Sequence, residues 1–217
     1  MALNWQEWFQ EAVSESGDSI AASRYDSVRS FRLQQGLILN RLGPVKGRRI
    51  LDVGPATGHF AEALTAHNTV IGIDFVADML GFAAQKGLLP VQGDGLALPF
   101  PDQSMDVVIC VGVLQHISQP EAFLRELLRV KKPGGQVFLL TLNQQSLVRW
   151  LYYKLTPHTE MMHTYRLGDL LALCQRLAPG DQVEGACVYY PLPLGRWLGP
   201  RPGLSRYLST AIAVRVF

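Results

Sequence analysis

Residues 50–60, ILDVGPATGHF, decide the fold. An apolar run ends in Asp52, Gly54 and Gly58 follow, and a helical pattern begins beyond them. A glycine-rich turn between a buried strand and a helix is where open α/β sheets hold nucleotides. Ala56, however, occupies the middle position, where a pyrophosphate would most require glycine. The stretch therefore raises a question about the ligand as well as the fold.

Outward from this turn, short apolar runs alternate with helical patterns. The runs predict strands at 49–53, 69–73, 89–92, 105–110 and 136–142; the patterns predict helices at 58–66, 77–85, 119–130 and 167–177. Short strands separated by helices of this length form a parallel sheet covered on both faces. DQVEGACVYY (181–190) and YLSTAIAVRVF (207–217) also read as strands, with no helix-length period between them. They are expected to pair as an antiparallel hairpin at one edge, joined by the Pro/Gly-rich 191–206 segment. Before the alternation begins, Leu3, Trp5, Trp8, Phe9 and Val13 form one helical stripe ended by Gly17. A second amphipathic helix within 25–43 stops at Gly43 and Pro44.

At 217 residues the chain suits one sizeable domain, divided into a helical cap (1–46), a binding core (47–142) and a substrate-shaping part with the terminal hairpin (143–217). A formal charge of +2 does not argue for nucleic acid. The groups Lys46/Arg48/Arg49 and Arg129/Lys131/Lys132 read as solvated element ends. Cys110, Cys174 and Cys187 lack close spacing and read as buried free thiols of a reducing compartment. No charged segment leads into an apolar signal core, and no run approaches the ~18 apolar residues of a membrane span. The expectation is a cytoplasmic protein without stable membrane insertion, monomeric or homodimeric.

In an open parallel sheet the ligand sits outside the carboxyl ends of the strands. Three acidic residues follow three apolar runs there: Asp52, Asp74 and Asp94, the last followed by Gly95 and Leu96. Asp74, 20 residues beyond Gly54, is the expected acceptor for the hydroxyls of a ribose. Asp94 beside Leu96 suits the amino group and one face of an adenine. Asp52 would repel a pyrophosphate but attract the ammonium of an amino acid, and Ala56 is acceptable where no pyrophosphate must enter. Adenine, ribose and an amino-acid tail combine in S-adenosyl-L-methionine.

The segments ILDVGPATGHFAEAL, VIGIDFVADML, GDGLALPFPDQSMDVVICVGVLQHI and LLRVKKPGGQVFLLT, covering about 48–142, resemble class I S-adenosylmethionine-dependent methyltransferases of the ubiquinone and menaquinone biosynthesis type. The family turn usually reads Asp-x-Gly-x-Gly-x-Gly, from which Ala56 departs. The resemblance implies a Rossmann-like, doubly wound sheet of seven strands, the last antiparallel, with the N-terminal helices over the active site. It further implies Gly54 and Gly58 against the methionine moiety, Asp74 on the ribose, and Phe75 and Met79 on the adenine side. Asp94 and Leu96 would bracket the base with Gly95 between them, the backbone near Val111 would touch the cofactor, and Tyr25 would close over it. It places His116, after the fourth strand, near the cofactor pocket as a base or orienter, and His163 in the substrate-facing region.

Methyl transfer from a sulfonium needs alignment and exclusion of water more than a covalent nucleophile. His59, His67 and His158 read as surface or capping residues, and the histidine spacing predicts no metal. CVGVLQH lacks the Asn/Asp-Pro-Pro-Tyr element of enzymes that methylate exocyclic amines, and Cys110 lacks the preceding proline of pyrimidine C5 enzymes. A small-molecule acceptor remains, with O-methylation ahead of C- or N-methylation. Trp150, Tyr152, Tyr153, Met161 and Met162 supply apolar and aromatic groups, so a pocket built from them would take a flat or lipophilic acceptor. The rivals are a dinucleotide-dependent oxidoreductase, disfavoured by Asp52 and Ala56, and a non-catalytic methyltransferase-like subunit.

Overall fold

The structure, a computed structural model, describes residues 4–23, 28–155, 162–188, 207 and 209–217. Tyr25, His158, Met161 and the 191–206 segment lie outside the described residues, as do the side chains of Tyr152 and Tyr153.

Seven strands form one sheet: β1 (Arg49–Val53), β2 (Thr69–Asp74), β3 (Leu89–Gln92), β4 (Met105–Val111), β5 (Lys131–Leu142), β6 (Val183–Val188) and β7 (Ala211–Val216), in the order β3-β2-β1-β4-β5-β7-β6. The first five pair in parallel, and β7 runs antiparallel to both β5 and β6. This is the doubly wound sheet with the expected terminal hairpin. The chain leaves β1 towards β2 on one side and later returns to β4 on the other, so a crevice opens at the carboxyl ends of β1 and β4.

Alternating side chains of the central strands feed two cores. Leu51, Val53, Val108, Cys110, Val137 and Leu139 meet α5 (Pro120–Val130) and α7 (Leu167–Leu177) through Phe123, Leu127 and Leu170. Ile50, Val107, Ile109 and Phe138 face the other way, against Phe31 and Ile38 of α2 (Val28–Leu42) and Leu64 of α3 (Glu62–Thr65). Burial on both faces is why these strands read as continuous apolar runs rather than alternating ones. A third cluster joins Val13 of α1 (Trp5–Ser16) to Val76 and to Met79 of α4 (Ala77–Gln85). The Asn4 carboxamide caps α1 by accepting the Gln6 N–H at 3.2 Å, and Gly17, at φ +56°, ends it.

Several expectations need correction. The helix expected over 58–66 is confined to Glu62–Thr65. Gly58 sits at φ +83° with its Cα so close to α4 that a Cβ would stand 2.8 Å from the Ala83 Cα, so 58–61 is turn rather than helix. β5 begins at Lys131, not at 136, because Lys131 pairs with Met105 before a register shift. An unexpected helix, α6 (Leu147–Leu155), follows β5. Lys131 is buried and paired with Asp181 at 3.0 Å rather than solvated, and Arg129 is held by Glu126 and Asp102. Lys132 pairs with Asp106, which Arg48 also reaches at 3.7 Å, while Lys46, Arg48 and Arg49 are exposed as expected of a solvated element end.

Candidate active site

A cavity of about 690 Å³ occupies the crevice, within the range of small-molecule sites. Its floor is the turn after β1. Gly54 has φ +72°, and a Cβ there would overlap Val113, so glycine is required both conformationally and sterically. Ala56 is also left-handed, at φ +49°, without the glycine that this conformation favours. Its N–H donates to Asp74 Oδ2 at 3.2 Å, while Asp74 Oδ1 accepts the Val76 N–H at 3.0 Å.

The three strand-end carboxylates converge on this cavity. Asp52 is only 2% exposed, and its Oδ2 is buried without a hydrogen-bond partner among the described atoms. Burial, with the Asp74 charge second, pushes its pKa up to about 7. Asp74 is also raised by burial, against the opposing effect of its backbone hydrogen bonds. Asp94 is exposed, and its Oδ1 accepts the Leu96 N–H at 2.9 Å. A Cβ on Gly95 would stand 2.5 Å from the buried Phe123 ring, so the chain passes over that ring only as glycine.

Much of the remaining lining is aromatic. The ring of His116, from the short 3₁₀ turn Leu114–His116, lies 4.2 Å from Trp5, 5.3 Å from Phe9 and 6.3 Å from Trp8, centroid to centroid. Phe9 also reaches Phe75 at 6.3 Å. Burial, helped by His163, lowers the His116 pKa to about 4, so the imidazole is neutral at physiological pH. Its Nδ1 is buried without a hydrogen-bond partner among the described residues. Beyond it, Gln115 and Thr141 join by a 3.2 Å hydrogen bond, and Arg149 and Met162 complete the lining.

Of the residues expected at the site, Asp52, Gly54, Ala56, Asp74, Phe75, Met79, Asp94, Gly95, Val111 and His116 line the cavity. Three described ones do not. Gly58 packs under α4, and Leu96 packs on the core beneath the sheet end. The exposed His163 contributes its backbone N–H to Gln115 O at 2.8 Å rather than its imidazole to the cavity. His59, read as a surface or capping residue, is instead half-buried in the cavity wall. The turn that replaces the first half of the expected helix sets it there, 3.8 Å from Asp18. Trp5, Trp8 and Phe9 were legible as a helical stripe, but nothing local says which surface that stripe covers. Among the described residues, no group of three His, Cys, Asp or Glu is placed to hold a metal ion, and no helix is long and apolar enough to cross a membrane.

An open α/β sheet with acidic strand ends and a glycine turn at its switch point defines a Rossmann-like nucleoside-binding protein. A methyltransferase-domain family model matches residues 51–139. The demethylmenaquinone methyltransferase of Geobacillus kaustophilus is 33% identical over 66% of this chain and 69% of its own length. The malonyl-[acyl-carrier protein] O-methyltransferase of Yersinia pestis is 31% identical over 79% of this chain and 62% of its own. Against a further demethylmenaquinone methyltransferase, the chain spans 53% of the relative's length. A crystal structure of a SAM-dependent methyltransferase from Thermotoga maritima shares the fold, with a TM-score of 0.70 at 20% identity over 97% of this chain and 98% of that one. The chain belongs to the S-adenosylmethionine-dependent methyltransferase family.

The residues present fit that cofactor. The orphaned, buried oxygen of Asp52 is a ready partner for an ammonium and hostile to a diphosphate. The close approach of Val113 at Gly54 leaves only backbone at that corner of the cavity, which would suit an amino-acid tail.

Proposed function

We propose that the chain methylates a small, planar or lipophilic acceptor, on oxygen in preference to carbon or nitrogen. The observation that carries this reading is that one cavity combines two chemistries. Asp52, Asp74 and Asp94 line it together with Trp5, Trp8, Phe9 and His116. The carboxylates suit a nucleoside with an amino-acid tail, and the aromatic groups suit a flat ring by stacking. When bound, S-adenosylmethionine supplies an electrophilic methyl group on a sulfonium.

The residues of the chain do the rest. Asp52 holds the ammonium, Asp74 the ribose hydroxyls and Asp94 the adenine amino group. The aromatic wall excludes water and fixes the acceptor, and such positioning supplies ~7–11 kcal/mol of a barrier. With its proton affinity so low, His116 is a poor general base and serves to orient the acceptor through its unpartnered Nδ1. A relative named for demethylmenaquinone supports a quinone-like acceptor, and one named for O-methylation supports an oxygen target. A small-molecule acceptor without nucleic acid, a single domain over 1–217, and a cytoplasmic monomer or homodimer belong to the same reading.

The test is transfer of labelled methyl from S-adenosylmethionine to a panel of hydroxylated aromatics, aromatic amines and activated ring carbons. Label on a phenolic oxygen is the expected result. Label on carbon or nitrogen alone removes the preference for oxygen. Failure to bind S-adenosylmethionine or its demethylated product in calorimetry removes the reading altogether.

A further inference from the structure

The outer face of α6 is apolar and exposed among the described residues. Leu147, Trp150, Leu151 and Leu155 are 55%, 59%, 51% and 74% exposed. At one turn per 3.6 residues, these four and the exposed Lys154 share a single face about 140° wide. Arg149 lies on the opposite side of the helix and lines the cavity. The helix sequence, LVRWLYYKL, contains no acidic residue.

We propose that this face of α6 rests on an anionic lipid surface. Leu147, Leu151 and Leu155 enter the boundary between headgroups and acyl chains, Trp150 sits at headgroup level, and Lys154 meets lipid phosphates. Two observations favour lipid over a second copy of the chain. The four side chains offer on the order of 400 Å² of apolar surface, a functional patch for a monomer but about half of what each partner of a stable dimer buries. A lysine in the middle of the stripe would be buried unpaired against its own copy, whereas at a membrane it reaches the headgroups. The inference goes beyond the proposed reaction and does not rest on it. Its consequence for that reaction is access, because one helix would touch the lipid with one face and the cavity with the other.

The test is co-sedimentation of the full chain with vesicles of phosphatidylcholine alone or with about one third phosphatidylglycerol. The chain is expected to partition onto both, about fivefold more strongly onto the anionic ones, as one basic side chain near such a surface confers. Leu151→Glu combined with Leu155→Glu is expected to reduce partitioning at least ~10-fold without moving the thermal unfolding midpoint. Absence of partitioning onto either vesicle overturns the proposal, as does undiminished partitioning of the folded double variant. A dimer in solution that the double variant dissolves makes the second copy the occupant and equally overturns it. Should the double variant not fold, Lys154→Glu decides: it abolishes the anionic preference, or the lipid assignment falls.

Discussion

The carboxylate of Asp74, at the end of β2, accepts the N–H of Ala56 at 3.2 Å and so holds the left-handed corner of the turn after β1. The group proposed to hold the ribose thus also shapes the glycine turn of the cavity. Asp74 accepts the Ala56 N–H on one oxygen and the Val76 N–H on the other. Asp74→Asn keeps an oxygen for only one of them, turns its NH2 towards the other and loses the charge, and Asp74→Ala loses both acceptors. Both variants should bind the demethylated cofactor about 10- to 100-fold more weakly in calorimetry, as expected for lost hydrogen bonds to a charged group. Both should also lose several degrees in unfolding midpoint, since each leaves a backbone N–H of the turn without its acceptor. Wild-type affinity in either one removes Asp74 from the ribose.

Ala56 takes a conformation that costs a residue with a Cβ roughly 1–2 kcal/mol. Glycine would relieve this cost while adding freedom to the unfolded chain, leaving a net gain of about 0.5–1 kcal/mol. Ala56→Gly should therefore raise the unfolding midpoint by about 1–4 °C. The other described left-handed residue that is not glycine, Gln103 at φ +53°, lies on an exposed turn away from the cavity. Gln103→Gly should give a comparable gain. A lower midpoint for Ala56→Gly would mean that its methyl group packs usefully against the cluster of Phe9 and Phe75.

How much of this was legible in the chain depended on whether the cause was local. Strand ends carry their own signal, because burial on both faces makes β1 and β4 apolar throughout and leaves Asp52 conspicuous at the end of its run. The helix spans 77–85 and 167–177 were also readable, as each buries one stripe on the sheet. α6 was harder to read, since its apolar stripe faces outward and so carries no sign of packing on the sheet. The cage around His116 was not readable. That Trp5, Trp8 and Phe9 cover it is settled by docking of α1 on α4, including the Gln10–Asp78 hydrogen bond, over a sequence separation of more than 60 residues. His59 was misread because a helix was expected where close packing of Gly58 on Ala83 enforces a turn.

Asp52 should make cofactor affinity depend on pH. Its carboxyl, held at about 7, must be ionised to pair with an ammonium. About a tenth of the free chain is competent at pH 6 and nine tenths at pH 8, so affinity should be about tenfold weaker at the lower pH. Calorimetry in buffers of different ionisation heat should detect proton release on binding below pH 7. Asp52→Asn should bind weakly at both values and release no proton. An affinity in the wild-type chain that is flat from pH 6 to 8 contradicts the pairing.

The same carboxyl and His116 should pull stability in opposite directions over one pH range. Asp52 titrates near 7 when folded and near 3.8 in the unfolded chain, so its contribution is fully present below 3.8 and is lost as pH rises towards 7. His116 titrates near 4 when folded and near 6.5 in the unfolded chain, so its contribution is present above 6.5 and is lost as pH falls towards 4. Each displacement of roughly three pH units corresponds to about 3–4 kcal/mol as an upper figure. In the wild-type chain the two slopes largely cancel between pH 4 and 6.5, over the background of the other carboxylates. Replacing one partner uncovers the other. Relative to wild type, Asp52→Asn should gain stability as pH rises from 4.5 to 6.5, and His116→Gln should lose it. Urea unfolding across that range measures both differences. Variant curves that run parallel to the wild-type curve would mean that neither group is as deeply desolvated as its surroundings require.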